Sequence, residues 1–82
     1  MPTPEQIRMA RAGIGVSVRQ LAEMSGVAES TILRFESSKG GMQTGTLTRI
    51  RNALEGKGVV FIDADDAIGP GVRLKLKQRS KR

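Results

Sequence analysis

The sequence predicts a mainly α domain of four short helices with a C-terminal β-hairpin, and three observations carry that prediction. Apolar residues recur at helical spacing in four segments of the first 56 residues, and Gly-containing stretches separate those segments. Beyond residue 58 the period changes to two. With 82 residues, 38% of them hydrophobic, the chain has material for one modest core. So small a domain is expected to gain stability from a partner or a second copy.

Thr3 followed by Pro4 is a helix start, because the Thr hydroxyl accepts from an early orphan amide and Pro at the first helical position loses no needed donor. The first helix is expected from Pro4 to about Ala12, with Ile7, Ala10 and Ile14 on its buried face and Gly13 and Gly15 breaking it. Ser17 caps the second. Gln20 stands three residues beyond it, which makes a capping box, and Leu21, Ala22 and Met24 follow before Ser25-Gly26 ends the helix. A third helix spans Glu29 to Glu36, with Ile32 and Phe35 three apart, and stops at Ser37-Ser38-Lys39-Gly40-Gly41. The fourth begins near Thr44 to Thr46. Leu47, Ile50, Ala53 and Leu54 give it an apolar face, Arg49 and Arg51 lie off that face, and Gly56 stands where a left-handed cap is expected.

Val59-Val60-Phe61-Ile62 is a β-branched and aromatic run, Asp63 to Gly71 is turn chemistry, and Val72 to Lys77 alternates strictly. In the expected hairpin Val72, Leu74 and Leu76 face the protein while Arg73, Lys75 and Lys77 form a basic outer row. Residues 78 to 82 contain nothing apolar and are expected to be disordered. A two-stranded hairpin is marginal alone, so it must pack on the helices or pair with the hairpin of another subunit.

The chain has no Cys and no His, which removes disulfides, thiolate chemistry, imidazole general bases and most zinc sites. No enzyme, cofactor or metal is expected. Asp63, Asp65 and Asp66 could be read as a magnesium cluster, but they stand in a turn without other catalytic groups, and turn solubility explains them better. The only aromatics, Phe35 and Phe61, lie in apolar patterns, so a base-stacking platform for RNA is missing. No export segment and no apolar run near the roughly 20 residues of a spanning helix is visible, so a soluble, cytoplasmic protein with no membrane partner is expected.

The formal charge of +6 suggests a polyanionic partner, but its placement matters more. Arg73, Lys75, Lys77, Arg79, Lys81 and Arg82 supply the whole excess, and residues 1 to 72 carry eight charges of each sign. Nucleic-acid binding by the body must therefore rest on placed residues. The tail admits three readings: a solubilising end, a basic arm on phosphates that steepens salt dependence, or a docking segment for another protein.

Residues 17 to 36 carry the functional signal, two short helices joined by a tight turn. Ala22 is small where the following helix crosses at close range, Gly26 permits the positive φ that redirects the chain, and Ile32 fills the wedge between the helices. The run Ser17-Val18-Arg19-Gln20-Leu21-Ala22-Glu23-Met24-Ser25-Gly26-Val27-Ala28-Glu29-Ser30-Thr31-Ile32-Leu33-Arg34-Phe35-Glu36, with Thr46 to Glu55 as the fourth helix, resembles the phage repressor and Cro-like (Xre) helix-turn-helix family. The resemblance covers roughly residues 4 to 55 and implies a lambda-repressor-like fold.

The resemblance implies that the third helix enters the DNA major groove while the second bridges the backbone. Glu29, Ser30, Thr31 and Arg34 would then contact bases, Arg34 by a bidentate bond to guanine worth about 1 to 3 kcal/mol of discrimination and Glu29 by accepting from cytosine. Ser17, the amides of Val18 and Arg19, the Arg19 side chain, Lys39, the amides near Gly40, and Thr44 are the phosphate candidates. Arg11 pairing with Glu36 is an architectural expectation of the same family pattern. Two departures stand out: Val18 occupies a place where many relatives have Gln, and Ala28 one where Ser or Thr usually caps the helix.

The expected organisation is thus a DNA-binding domain over 1–56, a hairpin over 57–77 that dimerises through Val59, Phe61, Val72, Leu74 and Leu76 together with the fourth helix, and a basic tail over 78–82. Such a homodimer places two reading helices about one DNA turn apart and implies an inverted-repeat operator. The leading expectation is a transcriptional repressor, or dual repressor and activator, of its own operon, in a bacterial, phage or mobile-element setting and close to the nucleoid. The alternative is an antitoxin-like protein that neutralises a partner protein and binds DNA to regulate itself.

Overall fold

Thr3 starts the first helix by closing a capping box with Gln6: Thr3 Oγ1 accepts from the Gln6 amide at 3.2 Å, and Gln6 Oε1 accepts from the Thr3 amide at 2.9 Å. The structure, a computed structural model, describes residues 1–76, so Lys77 and the expected tail over 78–82 lie outside the described residues. Helix α1 spans Pro4–Ile14, past the stop expected near Ala12. Gly13 does not break it. A mid-helix glycine costs only about 0.5–1 kcal/mol against alanine, and continuing through it keeps Ile14 against the core. The stop is Gly15, in the left-handed region at φ 69°, after which the Val16 amide reaches back to the Arg11 carbonyl at 2.9 Å.

Helix α2, Val18–Ser25, opens on a second box, with Ser17 Oγ accepting from the Gln20 amide at 3.0 Å and Gln20 Oε1 accepting from the Ser17 amide at 2.9 Å. It closes on Gly26, again left-handed at φ 74°. Helix α3, Glu29–Glu36, starts at Ala28 with no side-chain cap. Beyond its end the left-handed turn is made by Ser38 at φ 58°, ahead of the two glycines, and the Lys39 amide donates to the Arg34 carbonyl at 3.0 Å.

Helix α4, Thr44–Glu55, follows Gln43 and likewise has no side-chain cap. Its expected left-handed cap at Gly56 is not formed: Gly56 keeps a right-handed φ of −62°, and the positive angle falls at Gly58, φ 96°. The reversal is needed where the chain enters the sheet, next to Val59, and not at the last helical turn.

Strands β1 (Val59–Ile62) and β2 (Gly71–Leu74) pair antiparallel, with Val59 opposite Leu74 and Phe61 opposite Val72. The alternating run was expected to continue to Lys77, but pairing stops at Leu74 because β1 has no residue left to match, apart from one bond of 2.8 Å from the Lys75 amide to the Gly58 carbonyl. Leu76, expected on the inner face, is accordingly 93% exposed.

Helix α1 packs on α3 and on both strands, α2 on α3 and α4, and α4 on β1. The core at their meeting is Ile7 and Ala10 from α1, Leu21, Val27 from the turn, Ile32 and Phe35 from α3, Leu47, Ile50 and Leu54 from α4, and Val59. Truncating a fully buried member such as Ile32 or Ile50 to alanine is worth about 2–5 kcal/mol. The hairpin belongs to the same body. Buried Gln6 spends both amide protons on it, donating to the Ile62 carbonyl at 3.0 Å and to the Gly71 carbonyl at 2.9 Å.

Candidate nucleic-acid interface

The turn between α2 and α3 is held from three directions. Gly26 takes the positive φ, and a β-carbon there would stand 2.9 Å from Arg49 Nη2. That same nitrogen donates to the Gly26 carbonyl at 2.6 Å, so α4 clasps the turn through Arg49. Ser25 Oγ donates back to the Leu21 carbonyl at 2.7 Å and accepts from the Val27 amide at 3.3 Å. Val27 then enters the core, which fixes how far α3 is rotated about its axis.

Rotation decides which side chains α3 presents. Ile32, Phe35 and Glu36 are buried, while Glu29, Ser30, Leu33 and Arg34 are exposed. Of the four residues assigned to base contact, the structure brings Glu29, Ser30 and Arg34 onto one outward face, with Thr31 half-buried at its margin. The Arg34 stem rests on the following loop, since a β-carbon at Gly40 would lie 3.4 Å from its Cδ.

The Arg11–Glu36 pair positions this helix from behind. Two bonds of 2.7 Å join the guanidinium to the carboxylate, and Arg8 donates to the Glu36 carbonyl. The hydrogen bonds that Arg11 donates to Glu36, helped by the carboxylate charge, raise the Arg11 pKa above the ordinary arginine value against the opposing effect of burial. Arg11 is therefore a permanent cation at this joint. Ala22 is half-buried against the core, and Ile32 fills the space between α2 and α3 with no exposed surface.

The phosphate candidates lie at helix ends. Ser17 Oγ is committed to its capping box, so the box leaves the Val18 and Arg19 amides of the first turn as outward donors. Val18 packs its side chain on the core, and Arg19 is exposed. Lys39, Gly40 and Thr44 are exposed, but the Lys39 amide is already bonded within the chain. With no side-chain cap and no acid in its first turn, α4 offers the amides after Gln43 at its positive end.

Sequence reasoning missed two residues here. Leu33 reads as one more apolar helix residue, although its spacing of three from Ser30 and four from Glu29 places it on their face. Arg49 was placed off the apolar face, but no local pattern could show that it reaches 23 positions back to the turn.

Of the five residues expected at a dimer interface, Val59, Phe61 and Val72 need correction. Val59 is 2% exposed and lies in the core of the chain, and Phe61 and Val72 are half-buried against that core. The helices cover the inner face of the strands at Val59, Phe61 and Val72, while Leu74 on the same face, beside Gly13, stays 46% exposed. Among the described residues the exposed apolar side chains of the hairpin are Val60 and Ile62 on the outer face of β1, Ile68 in the turn, and Leu74 and Leu76 at and beyond the end of β2. Asp65, assigned to the turn, has its carboxylate accepting from the amides of Ala67 and Ile68 at 2.8 and 2.7 Å, which lowers its pKa. Among the described residues no helix is long and apolar enough to cross a membrane. No known protein-family model matches the chain, and no curated protein matches it.

Proposed function

We propose that the chain is a sequence-specific, double-stranded-DNA-binding transcriptional regulator with a helix-turn-helix reading unit. The observation that supports this most is the α2–turn–α3 arrangement. Gly26, Arg49 and the Arg11–Glu36 pair fix a short helix whose buried side is Ile32, Phe35 and Glu36 and whose free side carries Glu29, Ser30 and Arg34. A helix held that rigidly by its back, with donors and an acceptor on its front, fits a major groove.

In this reading Arg34 contacts guanine, Glu29 a cytosine amino group, and Ser30 and Thr31 adjoining bases or phosphates. The first amides of α2, Arg19, Lys39, the Gly40 amide and Thr44 hold the flanking phosphates. The protein works as a homodimer on an inverted repeat, represses or both represses and activates its own operon, and acts in the cytoplasm of a bacterium or a phage-infected cell without catalysis or a cofactor. The exposed Val60 and Ile62, on the strand face opposite the one that meets the helices, supply the dimer contact.

The test is a titration of the full chain on the upstream region of its own gene, by mobility shift with excess competitor DNA and then footprinting. A protected inverted repeat is expected. An equal shift on every duplex overturns sequence-specific regulation.

The same exposed hydrophobic residues favour a second reading, an antitoxin-like protein that masks a partner protein with the hairpin. A stable stoichiometric complex with the product of the neighbouring gene, and no specific shift, decides for that reading.

A further inference from the structure

On the outward face of α3, Leu33 stands 51% exposed among the polar, exposed Glu29, Ser30 and Arg34. Arg34, the long neighbour able to cover it, has its stem engaged with Gly40, where a β-carbon would meet Cδ at 3.4 Å and Cγ at 3.5 Å. Scattered surface leucines are common. This one lies inside the face assigned to DNA, where any bound duplex must cover it.

A duplex offers a leucine one apolar partner in the major groove, the C5-methyl group of thymine. Cytosine carries only a hydrogen at that carbon, and the guanine and adenine edges are dominated by donors and acceptors. We propose that Leu33 is a specificity-determining residue that reads a thymine methyl, beside the base met by Ser30 or Glu29, which lie one helical turn back on the same line. The proposal rests on the DNA-binding reading above and adds to it a base identity. Without Leu33 the polar face would tolerate any pyrimidine whose edge satisfied Ser30.

The chemistry is one methyl group passing from water to an apolar contact. That corresponds to about a fourfold change in affinity for each half-site, or about fifteenfold for both.

The experiment uses the full chain and a duplex it selects from a random-sequence pool, with each thymine replaced singly by deoxyuridine, which removes only the methyl. One position in each half-site is expected to weaken binding about fourfold. Leu33→Ala should bind the thymine and deoxyuridine duplexes equally, while Leu33→Met, which keeps an apolar reach, retains the preference. Thermal melting of each variant within a few degrees of the parent shows that the fold is intact.

A selected duplex indifferent to deoxyuridine at every position overturns the assignment of Leu33 and leaves the DNA reading standing. So does an unchanged methyl preference in Leu33→Ala, which assigns the methyl to another side chain. If no sequence is enriched, the DNA reading and the assignment of Leu33 fall together.

Discussion

Arg11 and Glu36 are joined by two parallel hydrogen bonds, Nε to Oε2 and Nη2 to Oε1, each 2.7 Å long, between a guanidinium on α1 and the last residue of α3. Nη1 of the same arginine donates to the Val16 carbonyl at 3.1 Å, so one side chain fixes α1, the entry to α2 and the end of the proposed reading helix. Glu36 is nearly inaccessible at 5% exposure, and a carboxylate is kept there only because it is fully paired.

Removing Glu36 strands the Arg11 charge against the core. The penalty is discounted because the Arg11 side chain keeps 21% of its exposure. Glu36→Ala is expected to cost about 2–4 kcal/mol and lower the melting temperature by roughly 10–20 °C. Replacing both partners, as Arg11→Met with Glu36→Leu, should recover much of that loss. Calorimetry or circular-dichroism melting checks both, and a double variant no better than the single one means that packing alone, not the unpaired charge, sets the cost.

Gln6 holds the hairpin to the helices through the Ile62 and Gly71 carbonyls. Gln6→Leu keeps the volume and removes both donors, leaving two backbone acceptors in a partly buried place, and it also removes the acceptor of the Thr3 amide in the α1 capping box. The expected loss is about 1–3 kcal/mol. Amide exchange should quicken in β1 and β2 first; uniform quickening across α2–α4 as well would show that the hairpin does not open separately.

Ser38 makes a left-handed turn at φ 58° where helix ends favour glycine. Ser38→Gly relieves that conformation and is expected to stabilise the domain by about 0.5–1 kcal/mol, after the larger unfolded-state entropy of glycine is counted. Urea denaturation measures it. A loss of stability would mean that the serine side chain contributes more than its backbone costs.

Asp65 gives the turn a pH dependence. Its carboxylate pKa is lowered first by the bond from the Ala67 amide and then by that from Ile68, and a group depressed on folding stabilises above its unfolded value. That support is complete above the ordinary aspartate value of about 3.9 and is lost as the pH falls through the lower folded value. In NMR titration the Ala67 and Ile68 amides should therefore keep their bonded shifts down to pH ~4 and move only below it. Asp65→Ala should remove the transition.

Arg34→Ala tests the reading face. It is expected to weaken binding to the selected duplex about 5- to 150-fold and to relax preference at one guanine position. Equal weakening on all duplexes, with a shallower salt dependence, would reassign Arg34 to a phosphate.

The features legible from the sequence were those decided within a few residues. Thr3 with Pro4 and Ser17 with Gln20 announce the starts of α1 and α2 because each signal is complete within a few positions, and Gly26 announces its turn because only one backbone conformation redirects the chain there. The bounds of α3 and β1 follow from equally local breaks in period. The ion pair of Arg11 with Glu36 was legible through a family pattern, not through any short-range rule.

Tertiary structure decided the rest, since packing and not propensity chose the outcome. Gly13 stays helical and Gly58, not Gly56, takes the positive φ, because the core and the sheet set where the chain must turn. Gln6 carries no signal of its role in the sequence until the fold brings carbonyls 56 and 65 positions away onto its amide. Val59 goes to the core and Leu33 to solvent although both are apolar, because burial depends on which side of an element meets its neighbour. Hydrophobicity fixes what a side chain prefers; the packing of distant elements determines which side chains obtain it.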